Sequence, residues 1–238
     1  MPFTLHDEQD DFILVNKSPE INFHCENGEP GLFEHVKNTL KIPTLLPVHR
    51  LDKMTSGALL FAKNKTAARV LSEQFKQRQV EKFYLAISDG KPKKKQGLIK
   101  GDMIKSRRSS WKLLPSQQNP AITQFFSTST QPGLRLFIIK PHTGKTHQIR
   151  VALKSIGAAI LGDPLYHTKT DQQIDRGYLH AYGLEFTFKG KIFRYLVAPK
   201  QGILFLDETT QTVIQQHYSS PLTLPWPKLP TSHYDTAT

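Results

Sequence analysis

The sequence contains only one cysteine, Cys25, among its 238 residues, so no disulfide can form within the chain. Small secreted domains commonly depend on disulfides, and their absence favours a reducing compartment. The first eleven residues, MPFTLHDEQDD, are acidic and lack the apolar stretch of a secretory signal. No run approaches the roughly 20 apolar residues that a membrane-spanning helix needs. We therefore expect a cytoplasmic protein that does not associate with membranes.

Acidic residues are scarce relative to basic ones. The chain has 20 Asp and Glu against 32 Lys and Arg, which gives a formal net charge of +12 at pH 7. A surplus of this size attracts polyanions, and phosphate contacts supply most of the non-specific affinity for nucleic acid. A basic surface can also serve solubility alone, so the charge suggests nucleic acid as a partner without establishing it.

Patterns that bind metals or cofactors are missing as well. The ten histidines are scattered, and no Cys/His spacing typical of zinc sites occurs. The glycines form no motif that would cradle a phosphate. Cys25 has no partnered His motif, so we expect it to be a small buried or half-buried residue and not a nucleophile. The residues alone therefore suggest neither a zinc site nor a phosphate-binding loop.

Short apolar runs rich in β-branched and aromatic residues predict strands. They cover Phe12–Val15, Ala58–Ala62, Phe83–Ile87, Ile122–Phe126, Leu134–Ile139, Leu184–Phe188, Ile192–Val197 and Gly202–Leu206. A Lys-Gly turn joins the sixth and seventh runs and should form a hairpin. Helical spacing of apolar residues predicts helices over 32–40, 67–75, 145–156 and 209–217. Because strands outnumber helices and seldom alternate with them, the pattern favours an α+β fold with a largely antiparallel sheet.

We place a single domain at residues 8–218, and two segments differ in composition from the rest of the chain: one lies inside this domain and the other follows it. Segment 91–112 contains nine Lys or Arg residues, one Asp and two glycines, which is typical of an exposed basic loop or hairpin. It is either a nucleic-acid contact or an ordinary solvated surface. Residues 219–238 form a tail with four prolines and little periodicity, which should pack loosely or be disordered.

The first of three polar islands, HRLDKMTSG at residues 49–57, leads directly into a predicted strand. Its carboxylate, Asp52, lies between Arg50 and Lys53 and is followed by a Thr-Ser-Gly turn. Nearby cations favour the ionised form of a carboxylate, as a reactive acid requires. An ordinary turn with a surface ion pair would show the same pattern, so this island alone does not establish chemistry.

The other two islands are equally open when each is considered alone. In KFYLA, Lys82 and Tyr84 should share one face of a strand, although a core role is the usual explanation for such a tyrosine. In KTHQIR, His147 and Arg150 are three residues apart and should share one face of a helix. Polar side chains at a helix start can cap the helix or bind phosphate.

Taken together and in order, these blocks resemble the RluA-type pseudouridine synthases. HRLDKMTSGALLFAKN resembles the family signature HRLDxxTSG, and KTHQIRVALKSIGAAILGDPLYH resembles the block RTHQIR…IG…GDPLY. KFYLAISDG is similar to the strand KxYxAxxxG of that family. DFILVNKSPEINFH and LHAYGLEF resemble its opening strand and its late LHA segment. The resemblance covers roughly residues 8–206.

The resemblance implies the pseudouridine synthase catalytic fold, a largely antiparallel mixed sheet flanked by helices and loops, with an active-site cleft across the sheet. It implies that uridines in structured RNA, ribosomal or transfer, are isomerised to pseudouridine with no cofactor and no metal. We expect RNA as the only partner, a monomer, and no S4 domain before the opening strand. The alternative is an RNA-folding or ribosome-assembly factor on the same fold with little catalysis.

The resemblance also assigns roles to individual residues. Asp52 would be the catalytic aspartate, either attacking C1′ of the nucleotide or promoting loss of a C2′ proton. Arg150 would pair with Asp52, Tyr84 would stack on the target base, and Arg50 would fill the gap that the extruded base leaves. Six further residues are expected to contact RNA: His49, Thr55, Lys82, Lys145, His147 and Gln148.

Overall fold

A single sheet positions all other parts of the fold. The computed structural model describes residues 1–26, 28–168 and 174–229. Its strands are β1 (Phe3–Glu8), β2 (Phe12–Lys17), β3 (Leu46–Pro47), β4 (Ser56–Ala62), β5 (Glu81–Ser88), β6 (Gln96–Lys105), β7 (Trp111–Leu114), β8 (Ala121–Gln131), β9 (Leu134–Pro141), β10 (Leu179–Phe188) and β11 (Lys191–Leu196). They pair in the order β1-β2-β4-β10-β5-β9-β8-β6-β7, with β3 beside β4 and β11 beside β10.

Helices cover parts of this sheet. They are α1 (Leu32–Leu40), α2 (Lys65–Lys76), α3 (Gln148–Ser155), α4 (Ile203–Leu206) and α5 (Glu208–His217), followed by a 3₁₀ turn at Pro221–Thr223. One apolar cluster packs α1 and α2 against the sheet around β2 and β4, and a second packs α3 and α5 around β5 and β9. The architecture is the predicted α+β fold. None of the helices in the described ranges is both long and apolar enough to cross a membrane.

Among the described strands, β4 and β10 form the one parallel pair, and all other pairs are antiparallel. Ser56 lies opposite His180 in this pair, and their side chains form a hydrogen bond of 2.7 Å. Gly57 has a φ of +107°, and a Cβ there would lie 2.2 Å from the carbonyl oxygen of Ala181. A glycine is therefore required where the two strands approach each other. The parallel pair therefore fixes the end of the loop that carries Asp52, at Ser56 and Gly57.

Most of the predicted elements are confirmed. Seven predicted strands lie within observed strands or overlap them, and the Lys189-Gly190 turn joins β10 to β11 with positive φ at both residues. The strand predicted over Gly202–Leu206 is wrong, because these residues form the short helix α4. Asp175 accepts the backbone N–H of Ile203 at 3.0 Å and thereby caps that turn. Contacts distant in sequence override the local β propensity there.

The third helix is shorter than predicted. Helix α3 begins at Gln148, since His147 has a left-handed φ of 57° that no helix accommodates. The prediction that His147 and Arg150 share a helix face is therefore wrong. His147 also makes no side-chain capping bond, so the island does not cap the helix.

The N-terminal residues and the basic segment 91–112 add strands to the sheet, and part of the C-terminal tail packs on it. Strand β1 starts before residue 8, where the sequence placed the domain boundary, and pairs with β2. Strands β6 and β7 account for most of segment 91–112 and pair with each other. In the tail, Trp226 packs on Phe83 and Phe126 with ring centroids 6.0 and 5.0 Å away. Residues 230–238 of the tail lie outside the described residues.

Candidate active site

A cleft opens between the loop before β4, the start of β5 and the start of α3. All of the predicted site residues except His49 line it: Arg50, Asp52, Thr55, Lys82, Tyr84, Lys145, His147, Gln148 and Arg150. The loop comes from the first island, β5 carries the second, and α3 with the turn before it carries the third. The sheet therefore brings three segments that are distant in sequence to one cavity.

Asp52 and Arg150 form an ion pair at the centre of the cleft. Nη1 of Arg150 donates to Oδ2 of Asp52 at 3.0 Å, and the Asp52 side chain is 31% exposed. Nε and Nη2 of the same guanidinium donate to the two carboxylate oxygens of Asp163 at 2.7 and 2.9 Å. Although burial opposes the charge, the two carboxylates raise the pKa of Arg150 above its ordinary value. Arg150 therefore stays cationic while it is almost entirely buried.

The two residues of the second island both face this cavity. Burial, with the negative charge of Asp52 as a smaller cause, raises the pKa of Tyr84, so its phenol is neutral. Burial lowers the pKa of Lys82 from that of an ordinary lysine. Its ammonium lies 5.9 Å from the centre of the Phe75 ring. The cleft thus combines a neutral aromatic ring with a partly desolvated cation.

The residues of the third island make different kinds of contact. Nε2 of His147 lies 4.0 Å from Oδ2 of Asp52, and burial lowers the pKa of this imidazole. Gln148 is buried, and its amide is engaged inside the protein. Its Oε1 accepts from the Thr143 hydroxyl at 2.6 Å, and its Nε2 donates to the Thr123 hydroxyl oxygen at 3.0 Å. Gln148 therefore braces the cleft wall, whereas the predicted RNA contact would need a free amide.

His49, for which an RNA contact was predicted, does not line the cleft. Its ring stacks on Phe75 with centroids 4.3 Å apart, and its Nε2 accepts the backbone N–H of Leu60 at 3.1 Å. Burial lowers the pKa of His49 to about 3, so the ring is neutral. The residue holds the start of the loop that carries Asp52 against α2 and β4.

Cys25 is exposed, and the expectation of a buried or half-buried thiol is wrong. It lies in the connection between β2 and α1, where chain segments run over the surface. In the part of the chain that the structure describes, no group of three or more His, Cys, Asp or Glu could hold a metal ion.

Sequence reasoning missed two residues that hold this site together. The ammonium of Lys17, a fully buried residue, donates to the carbonyl oxygens of Ser18, Lys53 and Thr55 at 3.0, 2.9 and 2.8 Å. Two of those carbonyls belong to the loop that carries Asp52, and burial lowers the pKa of Lys17 to about 7. Asp163 is the other. Lys17 and Asp163 lie inside the sequence blocks that resemble the family, but the spacing of residues does not show which groups a buried charge contacts.

The fold and the cleft define a class first. The structure superposes on human RNA Pseudouridylate Synthase Domain Containing 1 with a TM-score of 0.74 and 24% identity, over 95% of this chain and 97% of that one. For human RNA Pseudouridylate Synthase Domain Containing 4 the TM-score is 0.68, with 22% identity, over 89% of this chain and 92% of that one. Likeness at this level of identity establishes the fold, which is that of pseudouridylate synthases.

Sequence comparison then identifies the family. The family model described as RNA pseudouridylate synthase matches residues 11–155. An uncharacterized RNA pseudouridine synthase of Haemophilus influenzae is 49% identical over 214 residues, covering 90% of this chain and 95% of that protein. Ribosomal large subunit pseudouridine synthase D of Borreliella burgdorferi is 33% identical, over 82% of this chain but 57% of that protein. The chain belongs to the RNA pseudouridine synthase family, which confirms the resemblance. It is an isomerase that converts uridine in RNA to pseudouridine, and nothing in the described fold favours the non-catalytic alternative.

Proposed function

We propose that Asp52 is the catalytic carboxylate of this isomerisation and that the substrate is a uridine of ribosomal RNA. The observation that carries the first part is the ion pair of Asp52 with Arg150 in a cleft that also contains Tyr84. The second part is supported by relatives named as ribosomal large subunit synthases in Borreliella burgdorferi and Haemophilus ducreyi. Transfer RNA is the alternative substrate. Mapping of pseudouridine in cells distinguishes the two.

The reaction exchanges one bond of the nucleotide for another. The N1–C1′ bond breaks, the uracil turns within the cleft, and C5 bonds to C1′ while the C5 hydrogen leaves and N1 gains a proton. Because a stacked base is out of reach, the target nucleotide must first be flipped out, at a cost of about a few kcal/mol. Asp52 acts on the ribose, by attack at C1′ or by removal of the C2′ proton. Both routes use an oriented carboxylate in the cleft.

Neighbouring side chains would hold the base while it turns. The phenol of Tyr84 is neutral at physiological pH, so its ring can stack on uracil without placing a second anion beside Asp52. Arg50 is exposed at the rim and fits the gap that the extruded base leaves. Thr55, Lys82, Lys145 and His147 line the same cavity and supply polar contacts to the nucleotide.

Control of water distinguishes this isomerisation from hydrolysis of the same bond. Glycosidases normally use two carboxylates and admit a water molecule. Here the second carboxylate, Asp163, is fully buried and bound to Arg150, so it is not available to activate water. A cleft in which Asp52 is the one accessible carboxylate among the described residues favours reattachment of the uracil over formation of an abasic site, once the bound RNA covers it.

We further propose that the hairpin of β6 and β7 is an arm that grips the RNA backbone beside the target. At its end, the exposed cations are Lys105, Arg107, Arg108 and Lys112. The arm is joined to the cleft, because the backbone N–H of Trp111 donates to the Tyr166 hydroxyl at 2.8 Å and that hydroxyl lies 3.0 Å from Nδ1 of His147. An exposed cationic surface this close to the site suits phosphate contacts.

Neutralising the tip of this arm should weaken RNA binding and reduce its salt dependence. For Arg107→Gln with Arg108→Gln, we expect the slope of log affinity against log salt to fall by about 1 for each phosphate that the arm no longer neutralises. The rate at saturating RNA should change little. Titration of labelled RNA at several salt concentrations measures this. Lys65→Gln with Arg69→Gln on α2 is the matched control, since it removes the same charge outside the cleft; an equal effect there would refute a specific role for the arm.

The identity of the RNA is tested by mapping pseudouridine in cells that lack the gene. We expect specific uridines of ribosomal RNA to remain unmodified, to be restored by the wild-type gene, and to stay unmodified with Asp52→Asn. Loss of pseudouridine confined to transfer RNA would overturn the ribosomal assignment. Loss at no site would overturn the proposed modification of both ribosomal and transfer RNA.

We propose that the enzyme acts as a monomer in the cytoplasm, because one chain supplies every residue of the cleft and ribosomal RNA is found there.

A further inference from the structure

The guanidinium of Arg150 is shared between two carboxylates of very different exposure. Asp52 is 31% exposed at the cleft, whereas the side chain of Asp163 is 0% exposed. Asp163 takes the Nε and Nη2 hydrogens, at 2.7 and 2.9 Å, which occupies one whole edge of the guanidinium. Nη1 is then directed at Asp52. The fork of an arginine matches a carboxylate in two parallel bonds, so this contact fixes orientation as well as charge.

Asp163 is itself held rigidly from the opposite side. Its Oδ1 also accepts the backbone N–H groups of Leu165 and Tyr166 at 2.9 and 3.1 Å. The ring of Tyr166 lies 5.1 Å from the guanidinium carbon of Arg150. The edge of the guanidinium is therefore fixed by a carboxylate tied to the backbone, and its face by an aromatic ring. No single-bond rotation of Arg150 preserves both contacts.

A buried ion pair of this kind needs an explanation other than stability. Desolvating two charges offsets most of their attraction, and apolar residues of similar volume often stabilise a fold equally well. In some proteins such a pair sets the geometry of a neighbouring group, and the group that Arg150 meets here is Asp52.

We propose that Asp163 is a positioning residue of the isomerisation, which fixes the rotation of Arg150 so that Nη1 meets Asp52 in the productive geometry. Asp163 acts through Arg150 and touches no reacting atom. The proposal rests on the catalytic role proposed above for Asp52 and Arg150.

Asp163→Asn is the direct test. The amide oxygen can still accept the two backbone N–H groups, but the amide nitrogen then faces the Nε hydrogen of Arg150, donor against donor. The guanidinium must turn away. We expect kcat to fall by about 100-fold, as for other displacements of a catalytic group by about 1 Å, while KM and RNA affinity stay unchanged.

A double-mutant cycle separates positioning from mere folding. If Asp163 acts only through Arg150, Asp163→Asn should cost nothing further in an Arg150→Gln background. The double variant also replaces both buried charges by neutral amides, so its fold is not left with an unpaired ion. Single-turnover rates of the two single variants and the double variant give the result. Multiplicative losses would overturn the proposal, because they mean that Asp163 acts by another path.

Asp163→Glu keeps the proposal testable if the asparagine variant does not fold. It retains the charge but lengthens the side chain, so kcat should lie between those of the wild type and Asp163→Asn, with unchanged KM. A wild-type kcat for either variant would overturn the proposal. Asp10→Asn, an exposed change outside the cleft, is the control for the assay. If Asp52→Asn retains activity, the proposed function fails; if Asp52→Asn is inactive while Asp163→Asn is fully active, only this inference fails.

Discussion

Replacing Asp52 with asparagine is expected to abolish pseudouridine formation while RNA still binds. The change keeps the size and shape of the side chain, and it removes the one carboxylate that lines the cleft among the residues that the structure describes. Because no other carboxylate lines the cleft in the described part of the chain, we expect kcat to fall by about 10⁴-fold or more. The contacts that we propose for RNA lie elsewhere, on Tyr84, the rim of the cleft and the basic arm.

Release of tritium from RNA that contains 5-tritiated uridine measures this loss, since the C5 hydrogen leaves only when C5 bonds to C1′. RNA affinity is measured in parallel by titration with labelled RNA. Asp10→Asn serves as the control, because it removes an exposed carboxylate outside the cleft. Tritium release above background by purified Asp52→Asn would show that another residue performs the chemistry.

Replacing Arg150 with glutamine is expected to have the second-largest effect. The ion pair of Arg150 with Asp52 would be removed, and we expect kcat to fall by about 1,000-fold, as when a preorganised charged donor is removed from an active site. The change also leaves Asp163 buried without its cation, which should destabilise the fold by about 3–5 kcal/mol. Rate and melting temperature should therefore fall together.

Arg150→Lys is the companion variant, because it keeps the positive charge but cannot reach both carboxylates in the same geometry. We expect it to recover much of the stability and only part of the rate. Single-turnover kinetics and thermal unfolding of both variants check these results. If folded Arg150→Gln turned over at the wild-type rate, the guanidinium would have no role in orienting Asp52.

The sequence predicts the sheet well, because short apolar runs bounded by turn residues, such as the one in β4, are typical of buried strands. It also predicts the three islands of the cleft, since the resemblance assigns them together even though each is ambiguous alone. The failures occur where a distant contact decides local structure. Gly202–Leu206 has an apolar pattern that fits a strand, yet the Asp175 carboxylate turns it into a helix.

Side-chain partners are the other limit of prediction from sequence. His49 and Gln148 lie within the expected motifs, but one accepts a backbone N–H of β4 and the other braces two hydroxyl groups. Asp163 is visible in the sequence only as part of a motif, and its pairing with Arg150 depends on how α3 packs. Short-range spacing contains no information on such contacts.

The parallel pair of β4 and β10 has a consequence for synthesis of the protein on the ribosome. Ser56 and His180 are 124 residues apart in the chain, and their hydrogen bond fixes the end of the loop that carries Asp52. Contacts between such remote segments form slowly, because a long loop of chain must be closed to make them. A nascent chain that has not yet emerged as far as β10 therefore lacks the contact that fixes this loop. The ribosome must complete most of translation before its product can modify any RNA.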